Sequence, residues 1–267
     1  MLIGMAATAF VAVAMLAPMA QATTPAPGYT QFAGCPSPAE NPAVEACIRS
    51  VVKGGHFQMG SKDVPISNPM TLSGGTDNEL RGFTYNSKGG LSPVKQQVPG
   101  GVIGLTGLDW LVNFLSIEQL KLYAVTELAG TPLFGGVTSL TLPIKVHLIN
   151  PVLGNNCYVG SSSNPITLHL TTGTTSPPPP NSPITGVEPG FTFDEALEIL
   201  HLENATFVDN SFAAPGASGC TLTLLGFIPV SINGLVNTQS GLPSPAGTNE
   251  TVQNVDTDLV GSFNVYP

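Results

Sequence analysis

Leu140-Thr141-Leu142-Pro143-Ile144-Lys145-Val146-His147-Leu148 is the stretch that decides the fold. Leu140, Leu142, Ile144, Val146 and Leu148 recur with a period of two, and Thr141, Lys145 and His147 fall between them. Successive side chains of a strand point to opposite faces, so this pattern predicts a strand with one apolar and one wetted face. Pro143 has no N–H to give to a ladder, which predicts an edge position or a bulge there.

The same period continues on either side. Ile166, Leu168 and Leu170 alternate with Thr167, His169 and Thr171; Leu120, Leu122, Ala124 and Leu128 alternate with Lys121, Tyr123, Val125 and Glu127. Residues 48–52, 56–59 and 64–66 read as short strands separated by Gly54-Gly55 and Gly60-Ser61-Lys62-Asp63, the pattern of a meander. Further strands are expected over 197–207 and 222–232. A helical period is confined to 108–115, where Leu108, Leu111, Val112 and Leu115 share one face. Residues 72–104 read as a long surface excursion around Phe83 and Tyr85, with a turn at Val98-Pro99-Gly100-Gly101, and a polar, Pro-containing tail follows Gly241. Four prolines, Pro177 to Pro180, hold residues 176–183 in an extended loop rather than a strand. The expected fold is all-β: a sandwich or barrel of short antiparallel strands with long Pro/Gly-rich loops and at most one short helix. One internal echo, Ser67-Asn68-Pro69 after Met59-Gly60-Ser61 and Ser163-Asn164-Pro165 after Val159-Gly160-Ser161, fits either a duplicated β-unit or recurrent turn chemistry.

Residues 2–19 are apolar and run into Ala20-Gln21-Ala22, the small-x-small pattern of a signal-peptidase site. Residues 1–22 are therefore expected to be a signal peptide and 23–267 a single β domain. The segment Met1-Leu2-Ile3-Gly4 departs from the usual leader in carrying no Lys or Arg. An uncleaved anchor is the rival reading, disfavoured by Gly4, Thr8 and Pro18, by the cleavage pattern and by the lack of a basic flank.

Charged residues are 9% of the chain, against about a quarter in ordinary soluble domains, and mean hydropathy is +0.24. The surface is thus expected to rest on Ser, Thr, Asn, Gly and Pro, as suits a secreted or cell-surface protein. With 8 Lys and Arg against 17 Asp and Glu, a net charge of −9, the chain lacks the basic footprint that phosphate backbones or anionic headgroups need. Nucleic acid is excluded as a partner on that ground. A cell-envelope component or an apolar ligand is the partner class left.

Cys35, Cys47, Cys157 and Cys220 are an even count, which in an exported chain predicts disulfides. Of the three possible pairings, Cys35 with Cys47 and Cys157 with Cys220 is favoured, because the first two flank a short Pro-rich loop that closes easily. Closures of this size contribute about 3 and about 4 kcal/mol on the loop-entropy model. No Cys-x-x-Cys or close Cys/His pair gives the spacing of a zinc site, and no cofactor motif is present.

Catalytic patterns are as sparse. Pro215-Gly216-Ala217-Ser218-Gly219-Cys220 approaches a nucleophile elbow, yet Cys220 stands where the second glycine belongs, so it reads as a turn feeding a disulfide. His147 and His169 fall on outward faces, where adjacent strands would bring them together as a metal pair; no third ligand accompanies them. His169 or His201 with a carboxylate among Asp194, Glu195, Glu198 and Glu203 is the arrangement that would serve a hydrolase. Asp256-Thr257-Asp258 lacks the glycine and distal glutamate of a calcium loop and reads as a solvated acidic loop. Asn204-Ala205-Thr206 and Asn249-Glu250-Thr251 match the glycan acceptor pattern. No catalytic, cofactor or metal residue is assigned.

Cys157-Tyr158-Val159-Gly160-Ser161, Thr171-Thr172-Gly173-Thr174-Thr175 and Val208-Asp209-Asn210-Ser211-Phe212, with the stretch from Pro215 to Cys220, together resemble an uncharacterised family of exported proteins of high-GC Gram-positive bacteria. The resemblance runs from about Cys35 onward. It implies secretion and paired cysteines and brings no activity, substrate or site. The residues therefore point to a secreted, non-enzymatic protein with a structural or binding role. A β-barrel holding a lipid or other apolar ligand is the alternative, and an extracellular hydrolase a further one.

Overall fold

A computed structural model describes residues 23–77, 79–108, 116–224 and 228–267. The leader 1–22 and residues 109–115 of the expected helix lie outside the described residues.

A 3₁₀ turn, Thr30–Phe32, precedes the strands β1 (Ala46–Met59), β2 (Lys62–Pro65), β3 (Met70–Thr76), β4 (Phe83–Thr84), β5 (Gly90–Leu91) and β6 (Lys95–Gln97). Two short helices follow, α1 (Gly101–Thr106) and α2 (Ile117–Leu120), then β7 (Tyr123–Leu128), β8 (Leu133–Phe134), β9 (Ser139–Ile149), β10 (Tyr158–Val159) and β11 (Ile166–Thr171). The remainder is β12 (Gly190–Asp194), β13 (Ile199–Asp209), β14 (Ala217–Ser218), β15 (Thr221–Leu224), β16 (Ile228–Ser231), α3 (Asn233–Ser240), β17 (Glu250–Gly261) and α4 (Ser262–Val265). The fold is all-β. Four short helices stand among the described residues where at most one was expected, since elements of four to eight residues make too few turns to show a period.

Fifteen strands form one antiparallel sheet with the main order β14-β10-β9-β11-β13-β17-β1-β3-β4, curled into a half-barrel; β15 and β16 form a separate hairpin. The segment from Gly90 to Gln97 spans the rims, because β5 pairs with β3 on one side and β6 pairs with β7 on the other. Gln96 clasps this closure: its Oε1 accepts from the N–H groups of Ser67 and Asn68, and its Nε2 donates to Asn68 O at 2.6 Å. Residues expected as a loose excursion thus contain β3 and three short strands.

β9 and β11 follow the expected alternation. Leu142, Ile144, Val146, Leu148, Ile166, Leu168 and Leu170 are all buried, while His169 is exposed. Each such side chain contributes about 1.5–3 kcal/mol by leaving water. β9 is not an edge: it pairs with β10 and β11 on one side and with β7 and β8 on the other. Pro143 is tolerated because Leu128 pairs with Ile144 and Leu133 with Thr141, leaving a break between β7 and β8 opposite the proline. Pro143 O accepts from Ala129 N in that break. N and O of one strand residue point the same way, so the missing N–H faces the break and no ladder bond is lost.

Gly54-Gly55 is not a turn. β1 continues through it with a register shift between Val52 and Gly54 against β17. Gly55 sits at φ +114°, and a Cβ there would run into the Val252 carbonyl oxygen, so the sequence uses glycine for a bulge. The expected tail after Gly241 is also overturned, because β17 lies at the middle of the sheet between β1 and β13. The Ser-Asn-Pro echo has a shared local role: each precedes a strand that runs beside a long neighbour, β3 along β1 and β11 along β9. Those long strands differ in their other partners, β17 for β1 and β7 for β9.

On the convex side, Phe32, Val44, Cys47, Val260, Val265 and Tyr266 build a second small core. Cys35 and Cys47 are disulfide-bonded within it, and Tyr266 donates from its hydroxyl to Cys35 O at 2.7 Å. Cys157 and Cys220 form the second disulfide, beside the β10 and β14 pair. Both pairings are those expected, and all four cysteines are fully buried.

Candidate functional site

The concave face of the half-barrel encloses a cavity of about 140 Å³. Its walls come from the inward residues of β1, β3, β9, β11, β13 and β17, such as Ile48, Leu72, Val146, Leu168, Leu202 and Val255. A β1 that lines it from Ile48 to Met59 spans roughly 35 Å at about 3.3 Å per residue, an upper bound for a bulged strand. The space is an elongated apolar trough.

The polar side chains that reach it are mostly satisfied by one another. Ser50 and Thr257 hydroxyls lie 2.8 Å apart, Gln253 Nε2 donates to Thr251 Oγ1 at 3.3 Å, and Gln96 is held in the rim clasp. Two residues differ. Lys62 is the one charged side chain among the described lining residues, with Nζ donating to Gly104 O at 2.6 Å. Ser240 is 3% exposed, and its hydroxyl is the buried side-chain group without a hydrogen-bond partner among the described residues. Neither was singled out in the sequence, where Lys62 read as a turn residue and Ser240 carried no signal.

The histidines and carboxylates sit outside the trough. His147 faces acceptors on both ring nitrogens, Glu127 Oε1 at 3.5 Å and Asn155 O at 2.9 Å, and stacks on Tyr158 at 4.3 Å. Burial, with the Glu127 carboxylate adding to it, pushes the Tyr158 phenol above its ordinary range. Ser218 pairs with Tyr158 across β14 and β10, so the tyrosine stands between the serine and the imidazole. His147 lies beside Tyr158 and His169 beside Thr141, six positions apart along β9, or roughly 20 Å. They do not meet as a metal pair.

His201 bonds Asp258 at 2.7 Å, and Arg49 approaches the other carboxylate oxygen at 3.4 Å. Asp194 instead accepts from Ala196 N and Leu197 N in a tight turn, and Glu198 takes the Asn264 amide. Asp194 and Glu198 are thus engaged away from the imidazoles, and His201 belongs to a polar row with Arg49 and Asp258 across β1, β17 and β13. Asp256 and Asp258 are strand residues, not a solvated loop: Asp256 is held by Lys53 at 2.6 Å and by Asn204 N at 2.8 Å. Partial burial opposes its ionisation, but Lys53 and the Asn204 N–H outweigh it and lower the Asp256 pKa.

The Asp209-Asn210 stretch has a structural role. Asp209 is fully buried and accepts from His169 N, Ser211 N and Ser211 Oγ. Asn210 accepts from Thr175 Oγ1 and donates to Ser182 O, tying down both sides of the proline loop. Asn249 has no exposed surface and uses its amide fully: Gly60 N and Ser244 Oγ donate to it, and it donates to Phe212 O and Pro245 O. In the folded state this acceptor triplet is closed to a glycan, whereas Asn204 is exposed.

Comparison with family models, with curated proteins and with solved structures finds no match to this chain.

Proposed function

We propose that this chain is an exported, non-enzymatic binding protein that carries a lipid or other apolar ligand in the concave trough. The observation behind it is the cavity: an interior of about 140 Å³ with almost wholly apolar walls on the concave face of the sheet. Unfilled apolar space of this size costs on the order of 3 kcal/mol, and a bound apolar chain offsets that cost. Largely preformed, mostly apolar concavities are also the usual form of small-molecule sites. Export is supported by the leader pattern and by two disulfides, which suit an oxidising compartment. Among the described residues no helix is long and apolar enough to cross a membrane.

The test is native mass spectrometry of gently extracted protein together with titration of a fluorescent acyl probe. A co-purifying mass and saturable binding at one site are expected. Val255→Trp, which places an indole in the trough, should abolish probe binding while leaving the circular dichroism spectrum unchanged. A clean apo mass with no saturable probe binding would sink the reading.

A further inference from the structure

The trough is not uniform along its length. At one end Ser61 N donates to Ser240 O at 2.9 Å and Ser61 Oγ to Gln239 O at 3.0 Å, which seats the C-terminal end of α3 against the turn between β1 and β2. Lys62, the next residue, and Ser240 are thereby brought to the same end of the cavity, and both line it. The Lys62 ammonium has three donors and spends one on Gly104 O, a carbonyl of α1. Capping that short helix accounts for one N–H and leaves two. Among the described residues no carboxylate lies within ion-pair distance of Lys62, whereas Lys53, Lys121 and Lys145 each meet one. The second observation is independent: the Ser240 hydroxyl is buried, borders the trough and has no partner among the described residues. Native structures leave few such groups unpaired, and each asks for an explanation.

We infer that the ligand ends in a carboxylate, with Lys62 and Ser240 holding that group at one end of the trough while its hydrocarbon chain lies along β1. This rests on the apolar-ligand reading and adds the ligand's chemical class, a single-chain carboxylic acid. One ammonium and one hydroxyl match a monoanion: the ammonium neutralises its charge and both groups donate to its oxygens. A phosphate monoester carries up to two charges at neutral pH, which one lysine in a chain of net charge −9 does not balance.

The experiment is competition of the acyl probe with palmitate, hexadecanol and hexadecyl phosphate on the native disulfide-bonded protein and on Lys62→Met and Ser240→Ala. Palmitate should displace the probe about tenfold more tightly than hexadecanol, as a charge-assisted hydrogen bond implies. In Lys62→Met palmitate should fall to the affinity of hexadecanol, with hexadecanol itself unmoved. Ser240→Ala removes only an unpartnered hydroxyl, so it should keep apo stability and lose several-fold affinity for palmitate alone; it carries the test if Lys62→Met fails to fold. Equal affinity of palmitate and hexadecanol for the native protein overturns the head-group assignment and leaves the apolar reading standing. Tighter binding of hexadecyl phosphate overturns the carboxylate in favour of phosphate, and no binding by any of the three removes both readings.

Discussion

The two disulfides offer an internally controlled measurement of what a covalent closure contributes to this fold. All four cysteines have no exposed surface, so replacing either pair by alanine removes comparable packing. The closures differ in length, with separations of 12 and 63 residues. Loop-closure entropy assigns them about 2.8 and about 4.3 kcal/mol, so Cys157→Ala/Cys220→Ala should be less stable than Cys35→Ala/Cys47→Ala by roughly 1.5 kcal/mol. For a chain of this size that difference lowers Tm by about 3–6 °C. Urea unfolding of both variants, followed by near- and far-UV circular dichroism to check two-state behaviour, supplies the comparison. If removing the short closure costs as much as removing the long one, loop entropy is not what the cross-links contribute and the argument fails. Together the two closures amount to about 7 kcal/mol, comparable with the whole stability of a typical domain. A reducing compartment would therefore leave little folded protein.

Two further predictions concern polar groups. Asn249→Ala strips partners from Gly60 N, Ser244 Oγ, Phe212 O and Pro245 O. Each orphaned buried group costs about 1–3 kcal/mol, and a water entering the vacated space recovers part, so a loss of about 3–5 kcal/mol is expected in urea midpoints; a loss under about 1 kcal/mol contradicts the network's role. Asp256 has a folded pKa below its ordinary 3.8, so its contribution is present at neutral pH and is lost as pH falls through the lowered value. Lys53→Met should raise that pKa in a carboxyl NMR titration, with a stability change below about 1 kcal/mol because both side chains are a third or more exposed; an unmoved titration refutes the pairing.

The parts of the fold written in apolar alternation were legible: β9 and β11 alternate because their inward residues are all Leu, Ile or Val. β17 was not, since Thr251, Gln253 and Thr257 share its inward face with Val255 and Leu259, and a period-two search on hydrophobicity passes over polar inward positions. β1 was cut in two because Gly54-Gly55 carries the same local signal whether it makes a turn or a bulge; only the pairing with β17 distinguishes them. The apolar walls of the trough were visible as Leu-rich faces, yet whether such faces meet in a dry core or around a space depends on curvature, which a single strand does not encode. Lys62 and Ser240 are far apart in sequence and come to one end of the trough through the bonds that the Ser61 N–H and hydroxyl make to Ser240 O and Gln239 O. Asp256 and Asp258 misled in the opposite direction, since acidic residues beside threonine look like loop until Lys53, Arg49 and His201 are set across from them.

The central place of β17 sets the order in which the molecule can be assembled. Its partners are β1 from the opposite end of the chain and β13, with Ala46 opposite Gly261. The middle of the sheet therefore depends on a strand some two hundred residues beyond β1, and contacts of such wide separation are the slow ones to close. Until β17 is in place, the β1–β3 half and the β9–β11–β13 half lack the strand that joins them through the middle of the sheet.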